Sequence, residues 1–330
     1  MKAVIHKGMK GLAGVQVADF EESTPSVFEV KVRLKVAGLN HRDLFIPFRH
    51  GEHDPPVILG SDGAGVVEQI GEGVTNVQVG DEVIIIPSLG WEKNSPAPPK
   101  EFEIVGFPDH GTFAESIVIP AKNAVKKPES LRWEEAGVLP LAALTAYRAL
   151  FTRGKLEAGQ HLLLPGIGSG VATFLLLMAK AAGASVTVTS RSETKRKRAL
   201  KLGADAAIDS NGDWDDQMNG EKADIVIDSV GRATFHKSLK QVKLGGTIVV
   251  FGASAGDEIT LDLRSFFYGQ YNLLGSTMGS SEEFLEMLEF INKHKIKPVI
   301  DKVFLLTDAL DALQRLDDAD QFGKIALKIE

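Results

Sequence analysis

Two patterns of apolar positions divide this chain. Up to about residue 120, short runs with every second position apolar, among them VFEVKVRLKVAGL, GAGVVEQIG, GDEVIIIP and TFAESIVIP, are separated by glycine turns. They predict an irregular, mostly antiparallel β-rich domain. The proline-rich stretch 91–99 can continue neither a strand nor a helix and reads as an exposed loop. From about residue 131 the period changes. The largely apolar runs HLLLP, SVTVTS, DAAID, ADIVIDSV, GGTIVVFG and YNLLGST alternate with helical stretches such as 171–182 and 193–202, the pattern of a parallel sheet covered by helices. Six such strands fit a doubly wound sheet, so the second domain is α/β. A helix at 307–317 and a last strand, KIALKI, follow, and the pattern alone assigns that strand to no sheet.

The most informative turn lies where the strand HLLLP runs into Gly166, Gly168 and Gly170 and a helix begins at once. Glycines there let the backbone approach a pyrophosphate, and a helix amino end offers free N–H groups and partial positive charge. The spacing is not a strict GxGxxG, because Val171 follows Gly170 and Ala172 takes the small-residue position. A tight turn with no ligand would use the same glycines, so the reading depends on context. Two later strand ends, DSVG with Ser229 and Val230, and FGAS with Phe251 and Gly252, fall where loops line the same crevice. About twenty residues after the turn, where an acidic residue would bind the ribose hydroxyls of NAD, the chain has Ser190 and Arg191, with Lys195 one helical turn on. These are donors suited to a 2′-phosphate, and the expected cofactor is NADP(H). Arg196, Lys197 and Arg198 read as a solvated basic face.

Length and charge narrow the remainder. At 330 residues, with 44% apolar and 25% charged side chains, the chain has ample material for two self-sufficient domains. A net charge of −7 gives no general attraction to nucleic acid or to an anionic membrane. With no cysteine, thiolate zinc sites, iron–sulfur clusters and cysteine nucleophiles are excluded. The amino-terminal MKAVIHKGMK has no signal-peptide core, and the longest apolar stretch, 171–179, is about half of the ~20 residues needed to span a bilayer. A cytoplasmic protein is expected.

The motifs GLNHRDL, LGSDGAGVVEQIGEGV, VGDEVI, GTFAE, LPLAALTAYRAL, GIGSGVA and GSTMGS, spread over essentially the whole chain, resemble those of the medium-chain dehydrogenase/reductases. The similarity is to the zinc-free branch that includes NADPH:quinone oxidoreductases and enoyl reductases. It implies a discontinuous GroES-like catalytic domain, 1–122 and 263–330, around a Rossmann domain, 123–262. It further implies that Thr145 contacts the cofactor, that Ser169, Gly170 and Val171 face the pyrophosphate, that Lys195 serves the 2′-phosphate, and that Gly275 and Ser276 lie beside the nicotinamide. A homodimer joined through strands near 271–275 is also implied. The zinc alcohol dehydrogenases carry a cysteine where this chain has Asn40, and GHE where it has Gly60, Ser61 and Asp62. Their four-cysteine lobe is replaced by the proline-rich loop. His41, His50, His53 and Asp62 match no recognised ligand spacing, and no metal is expected.

Oxidising a simple alcohol near neutral pH needs help in removing the hydroxyl proton, which a bound zinc provides. A quinone or an α,β-unsaturated carbonyl needs less, because the charge arriving with hydride spreads onto an oxygen that hydrogen bonds can stabilise. The expected reaction is NADPH-dependent hydride transfer to such an acceptor, held between the two domains. Asn40 is the leading candidate to meet the carbonyl, with a local backbone cap as its alternative role. Arg42 and Ser61 follow it, Asp43 is expected to support the motif's backbone or to pack in a salt bridge, and Tyr147 to be structural. The competing readings are an alcohol dehydrogenase or aldehyde reductase and a non-catalytic NADPH-binding redox sensor. A methyltransferase is disfavoured because the acidic ribose partner is replaced.

Overall fold

The computed structural model describes residues 1–329. The chain divides into two compact units, Met1–Ala142 with Gly279–Glu330, and Ala143–Met278. The first is built on a seven-stranded sheet whose central strand is Glu29–Gly38. Alternation there is direct: Val30, Val32, Leu34 and Val36 are buried, while Arg33 and Lys35 are not. Lys31 breaks the alternation, since its stem is buried and its ammonium reaches Glu22. Antiparallel neighbours Asp62–Ile70 and Ser116–Pro120 extend the sheet. A second sheet pairs Val15–Asp19, Lys2–His6 and Val57–Ile58.

The last strand, Lys324–Lys328, pairs antiparallel with Glu29–Gly38 and parallel with Ile300–Leu305, so it returns to the sheet of the first unit. The segment 91–99 is, as expected, a mostly exposed loop with no strand or helix, and Trp91 is its buried exception. Trp91 is 1% accessible and packs edge-on against Phe102. Its carbonyl accepts from Ser281 N–H at 2.8 Å, while Asn94 N–H donates to Glu282. An aromatic anchor with satisfied backbone groups holds a stretch whose prolines and polar residues suggested a free loop.

The second unit is a six-stranded parallel sheet in the spatial order Ala206–Asp209, Ser185–Ser190, His161–Leu164, Ala223–Asp228, Val242–Val250, Asn272–Gly275. The order reverses between His161–Leu164 and Ala223–Asp228, which makes the carboxyl ends of these strands the expected ligand crevice. Helix Gly170–Ala181 buries Phe174, Leu175, Leu176, Met178 and Ala179. The expected helices at 171–182 and 193–202 are observed as Gly170–Ala181 and Glu193–Lys201.

The division of the chain differs from the expected boundaries of 122 and 263. Residues 123–142 belong to the first unit, where Ala124–Lys126 pairs with Glu82–Ile85. Residues 263–278 belong to the second, because Asn272–Gly275 is the sixth strand of its sheet. Among the described residues no helix is long and apolar enough to cross a membrane.

Candidate functional site

At the carboxyl ends of the parallel strands, Gly166 follows His161–Leu164 with φ +78°, and a Cβ there would meet Val230 at 2.7 Å. The turn therefore accepts only glycine and keeps open a hollow that a side chain would fill. Ser169 caps the helix, its hydroxyl accepting from Ala172 N–H at 3.1 Å. The N–H groups of Gly170 and Val171 have no acceptor among the described residues. Facing them across the sheet order, the fully buried Asp228 accepts from Val230 N–H at 2.7 Å, from Gly231 N–H at 3.1 Å and from the hydroxyls of Thr234 and Ser238. That carboxylate fixes the loop carrying Ser229 and Val230. Ser254 N–H in turn donates to the Ser229 carbonyl, which ties the loop after Phe251 and Gly252 to it. Gly275 ends the sixth strand, and beside it the Ser276 hydroxyl is buried without a partner. Free amides at a glycine turn and an orphaned hydroxyl at the end of the edge strand of the same sheet fit a dinucleotide. Thr145 is buried in the helix Pro140–Tyr147.

At the end of Ser185–Ser190 the Ser190 hydroxyl accepts from Ser192 N–H at 3.1 Å, Arg191 is exposed and Lys195 is half-buried. Arg196 departs from the solvated role expected of it. Its guanidinium donates to the Ser190 carbonyl at 2.6 Å and lies 3.4 Å from Asp209, so it braces the strand end. Lys197 is exposed and pairs with Glu193.

The first unit gathers the remaining candidates. Register places Gly38 opposite Asp62, which brings GLNHRDL and LGSDG together, while Lys324 enters from the strand on the other side of Glu29–Gly38. Gly60 has φ +96°, and a Cβ on it would strike the Phe113 ring at 2.2 Å, so only glycine delivers Ser61 and Asp62 here. Lys324, 3% exposed, uses all three ammonium protons: on the Leu39 carbonyl at 2.6 Å, on Asn40 Oδ1 at 2.6 Å and on Asp62 Oδ2 at 3.1 Å. Asp62 also accepts from Asn40 Nδ2 at 2.9 Å and Leu141 N–H at 2.7 Å. Burial drives its carboxyl up, and Lys324 and the neighbouring donors pull it back. Asp43 accepts from Asn40 N–H at 2.7 Å, the backbone support expected of it, and leaves Oδ1 buried without a partner. Burial pushes the Asp43 carboxyl up to about 7.

Asn40 is therefore held by side chains on both sides of its amide, Oδ1 accepting from Lys324 and one Nδ2 N–H donating to Asp62, rather than by a local backbone cap. Arg42, the first residue of the helix Arg42–Arg49, donates from Nη1 to Ser61 Oγ and to the Val105 carbonyl at 2.9 Å. His41, His50, His53 and Asp62 are not a cluster. His50 pairs with His6 at 2.7 Å between their Nδ1 atoms, His41 stacks edge-on against Phe45, and Asp62 is taken by Lys324. Lys324 carried no local signal, because a lysine opening a terminal apolar strand resembles an ordinary exposed end.

A GroES-like β-rich unit with a Rossmann-type parallel sheet, glycine turn and helix cap defines a nicotinamide-cofactor oxidoreductase. Residues 27–129 match the family model of the alcohol dehydrogenase GroES-like domain, and residues 170–293 that of the zinc-binding dehydrogenases. The chain is 33% identical to the zinc-type alcohol dehydrogenase-like protein YogA of Leptosphaeria maculans, over 98% of its own length and 97% of the relative's. It is 28% identical to the acryloyl-coenzyme A reductase of Sulfurisphaera tokodaii, over 99% and 100%. A solved NAD-dependent alcohol dehydrogenase superposes with a TM-score of 0.93 at 36% identity, with both chains fully covered. The chain belongs to the zinc-type alcohol dehydrogenase-like family of the medium-chain dehydrogenase/reductase superfamily.

That family name raises the question of zinc. At the positions singled out for comparison with zinc enzymes, Asn40 and Asp62 already accept an ammonium and Ser61 accepts a guanidinium. Among the described residues no group of three or more histidine, aspartate or glutamate side chains could hold a metal. A neutral amide, a hydroxyl and a carboxylate already committed to two cationic side chains do not fit a resident zinc ion.

Proposed function

We propose that this protein is an NADPH-dependent reductase of electron-poor acceptors, an α,β-unsaturated carbonyl first and a quinone second, working without a bound metal. The observation that carries the reading is the Lys324–Asn40–Asp62 network, which puts a fixed ammonium among the groups that would otherwise offer themselves to zinc. Without a metal to acidify a hydroxyl, the favourable direction is reduction of a substrate that disperses the incoming charge itself. The resemblance to an acryloyl-coenzyme A reductase supports the enone arm. When bound, a reduced nicotinamide supplies a hydride.

The chain's own residues bind and orient. The amides of Gly170 and Val171 beside Gly166 and Gly168 receive the pyrophosphate, and Ser190, Arg191 and Lys195 receive the 2′-phosphate in place of an acidic ribose ligand. Ser229, Val230, Phe251, Gly252, Gly275, Ser276 and Thr145 complete the cofactor walls. Leu273 is 40% exposed in the edge strand Asn272–Gly275, and Phe267 and Tyr268 are exposed on the helix before it, which supports a homodimer through this edge.

The test follows nicotinamide absorbance with the metal-free protein, NADPH or NADH, and enones, enals, quinones, aldehydes and primary alcohols. Oxidation of NADPH by enones or quinones, undiminished by chelators, is expected. The similarity to an NAD-dependent alcohol dehydrogenase gives a second reading, which alcohol oxidation with NAD would favour. Tight NADPH binding with no turnover of any acceptor would favour a sensor.

A further inference from the structure

We propose that the Arg42 guanidinium is the group that receives the substrate's carbonyl oxygen as it becomes an enolate oxygen. This rests on the reductase reading and supplies what that reading lacks, an electrophile. Arg42 is half-buried and anchored through one nitrogen only, Nη1, by Ser61 Oγ and the Val105 carbonyl. Among the described residues its Nε and Nη2 have no acceptor, and neither is sealed from solvent.

Among the described residues no carboxylate is within ion-pair distance of it. The two nearby acids are engaged elsewhere, Asp62 by Lys324 and Asn40, and Asp43 by the Asn40 N–H. Asp43 and Asp62 act on the half-buried guanidinium only from beyond ion-pair distance, so its two open nitrogens leave a place that an oxyanion completes. Burial also lowers its pKa from the ordinary arginine value, with Asp43 and Asp62 pulling the other way. Its position at the first residue of the helix Arg42–Arg49 adds the positive end of the helix dipole to the same spot.

The step balances without another reactant. Hydride adds at the β-carbon, the C=C π pair shifts to form the enolate, and the negative charge on oxygen is met by the two unused N–H edges of Arg42. A proton from water then adds at the α-carbon, giving the saturated carbonyl and oxidised nicotinamide. Because the anchors are made before substrate arrives, the donors need no rearrangement when charge develops. Asn40, with its amide held by Lys324 and Asp62, is then part of the frame around the helix start.

The experiment compares wild type with Arg42→Met and Arg42→Lys. Reduction of 2-cyclohexenone and crotonyl-CoA by NADPH is measured alongside NADPH affinity and binding of crotonate, whose carboxylate mimics the enolate oxygen. Arg42→Met should lower kcat about 100-fold, the range for losing an oxyanion donor, while NADPH affinity stays unchanged. Guanidinium ion in the assay should restore part of the loss. Arg42→Lys, which can keep one anchor but not the planar fork, should lose about tenfold. Crotonate binding should be lost in Arg42→Met. The proposal is overturned if Arg42→Met and Arg42→Lys both keep kcat within threefold of wild type. If wild type reduces no enone, the reductase reading fails and takes the enolate role of Arg42 with it, whereas enone turnover by wild type together with equal crotonate binding in all three proteins overturns the proposal alone.

Discussion

Replacing Lys324 with methionine keeps the length of the buried stem and deletes its charge, leaving the Asp62 carboxylate without its hydrogen-bonded cation. Lys324 and Asp62 are 3% and 0% exposed, and the ammonium makes three hydrogen bonds, so no solvent is at hand to compensate. Breaking a buried pair from one side typically costs about 3–5 kcal/mol. At about 2–4 °C per kcal/mol for a folding unit of this size, the melting temperature should fall by about 10 °C. The loss has a pH signature. In the variant the folded carboxyl has a pKa raised further above its unfolded value, so the folded state binds more protons and stability declines as pH rises. The deficit should therefore be largest near pH 8 and shrink toward pH 5. Asp62→Asn added to Lys324→Met removes the stranded charge and should recover at least half of the loss, a coupling measurable by a double-mutant cycle. Calorimetry of the four proteins at pH 5 and 8 gives the answer. A melting temperature for Lys324→Met within 2 °C of wild type, or a double variant no better than the single, would refute the assignment of Lys324 as the charge that holds this site together.

Replacing both Arg191 and Lys195 with alanine should reduce the preference for NADPH over NADH by about 10–100-fold, as two charge-assisted hydrogen bonds warrant; an unchanged ratio of dissociation constants would place the 2′-phosphate elsewhere. The Asp43 carboxyl, at about 7 when folded and ~3.9 when unfolded, makes stability decline as pH rises between those values. Asp43→Asn keeps an acceptor for the Asn40 N–H and should flatten that slope in urea titrations between pH 5 and 8, whereas curves parallel to wild type would contradict it. Leu273→Glu places a charge on the edge of the parallel sheet and should shift the sedimentation coefficient to that of a monomer with NADPH binding retained. A variant that sediments as wild type would remove this edge from the interface.

Most of what local pattern can encode was legible in the sequence. The six parallel strands, the helix after the glycine turn and the missing acid at Ser190 follow from a period and a spacing a few residues wide. The motif resemblance then gave the β-rich unit its class. What escaped was set by partners far along the chain. Lys324 lies 262 residues from Asp62, and only the pairing of two strands on either side of Glu29–Gly38 makes them neighbours. Trp91 in a proline-rich stretch gave no sign that Ser281 and Glu282 would receive it. Arg196 looked like one of four basic residues in a row, and its distinct role comes from helix phase, which turns it toward the Ser190 carbonyl. The importance of Asn40 was apparent, but not its role, because an amide's partners are a tertiary property.

The reach of Lys324 across the whole second unit has a bearing on how the molecule is made. Emerging from the ribosome, residues 1–142 carry Asp62 but not its cation, and the central strand Glu29–Gly38 lacks one flank until Lys324–Lys328 is available to pair. The cofactor unit, whose six strands lie between 143 and 278, has all its pairings within itself and can close first. During translation the nucleotide fold is thus able to form while the β-rich half is still open at an unpaired edge with an uncompensated acid in its centre, the interval in which this chain most needs protection from aggregation.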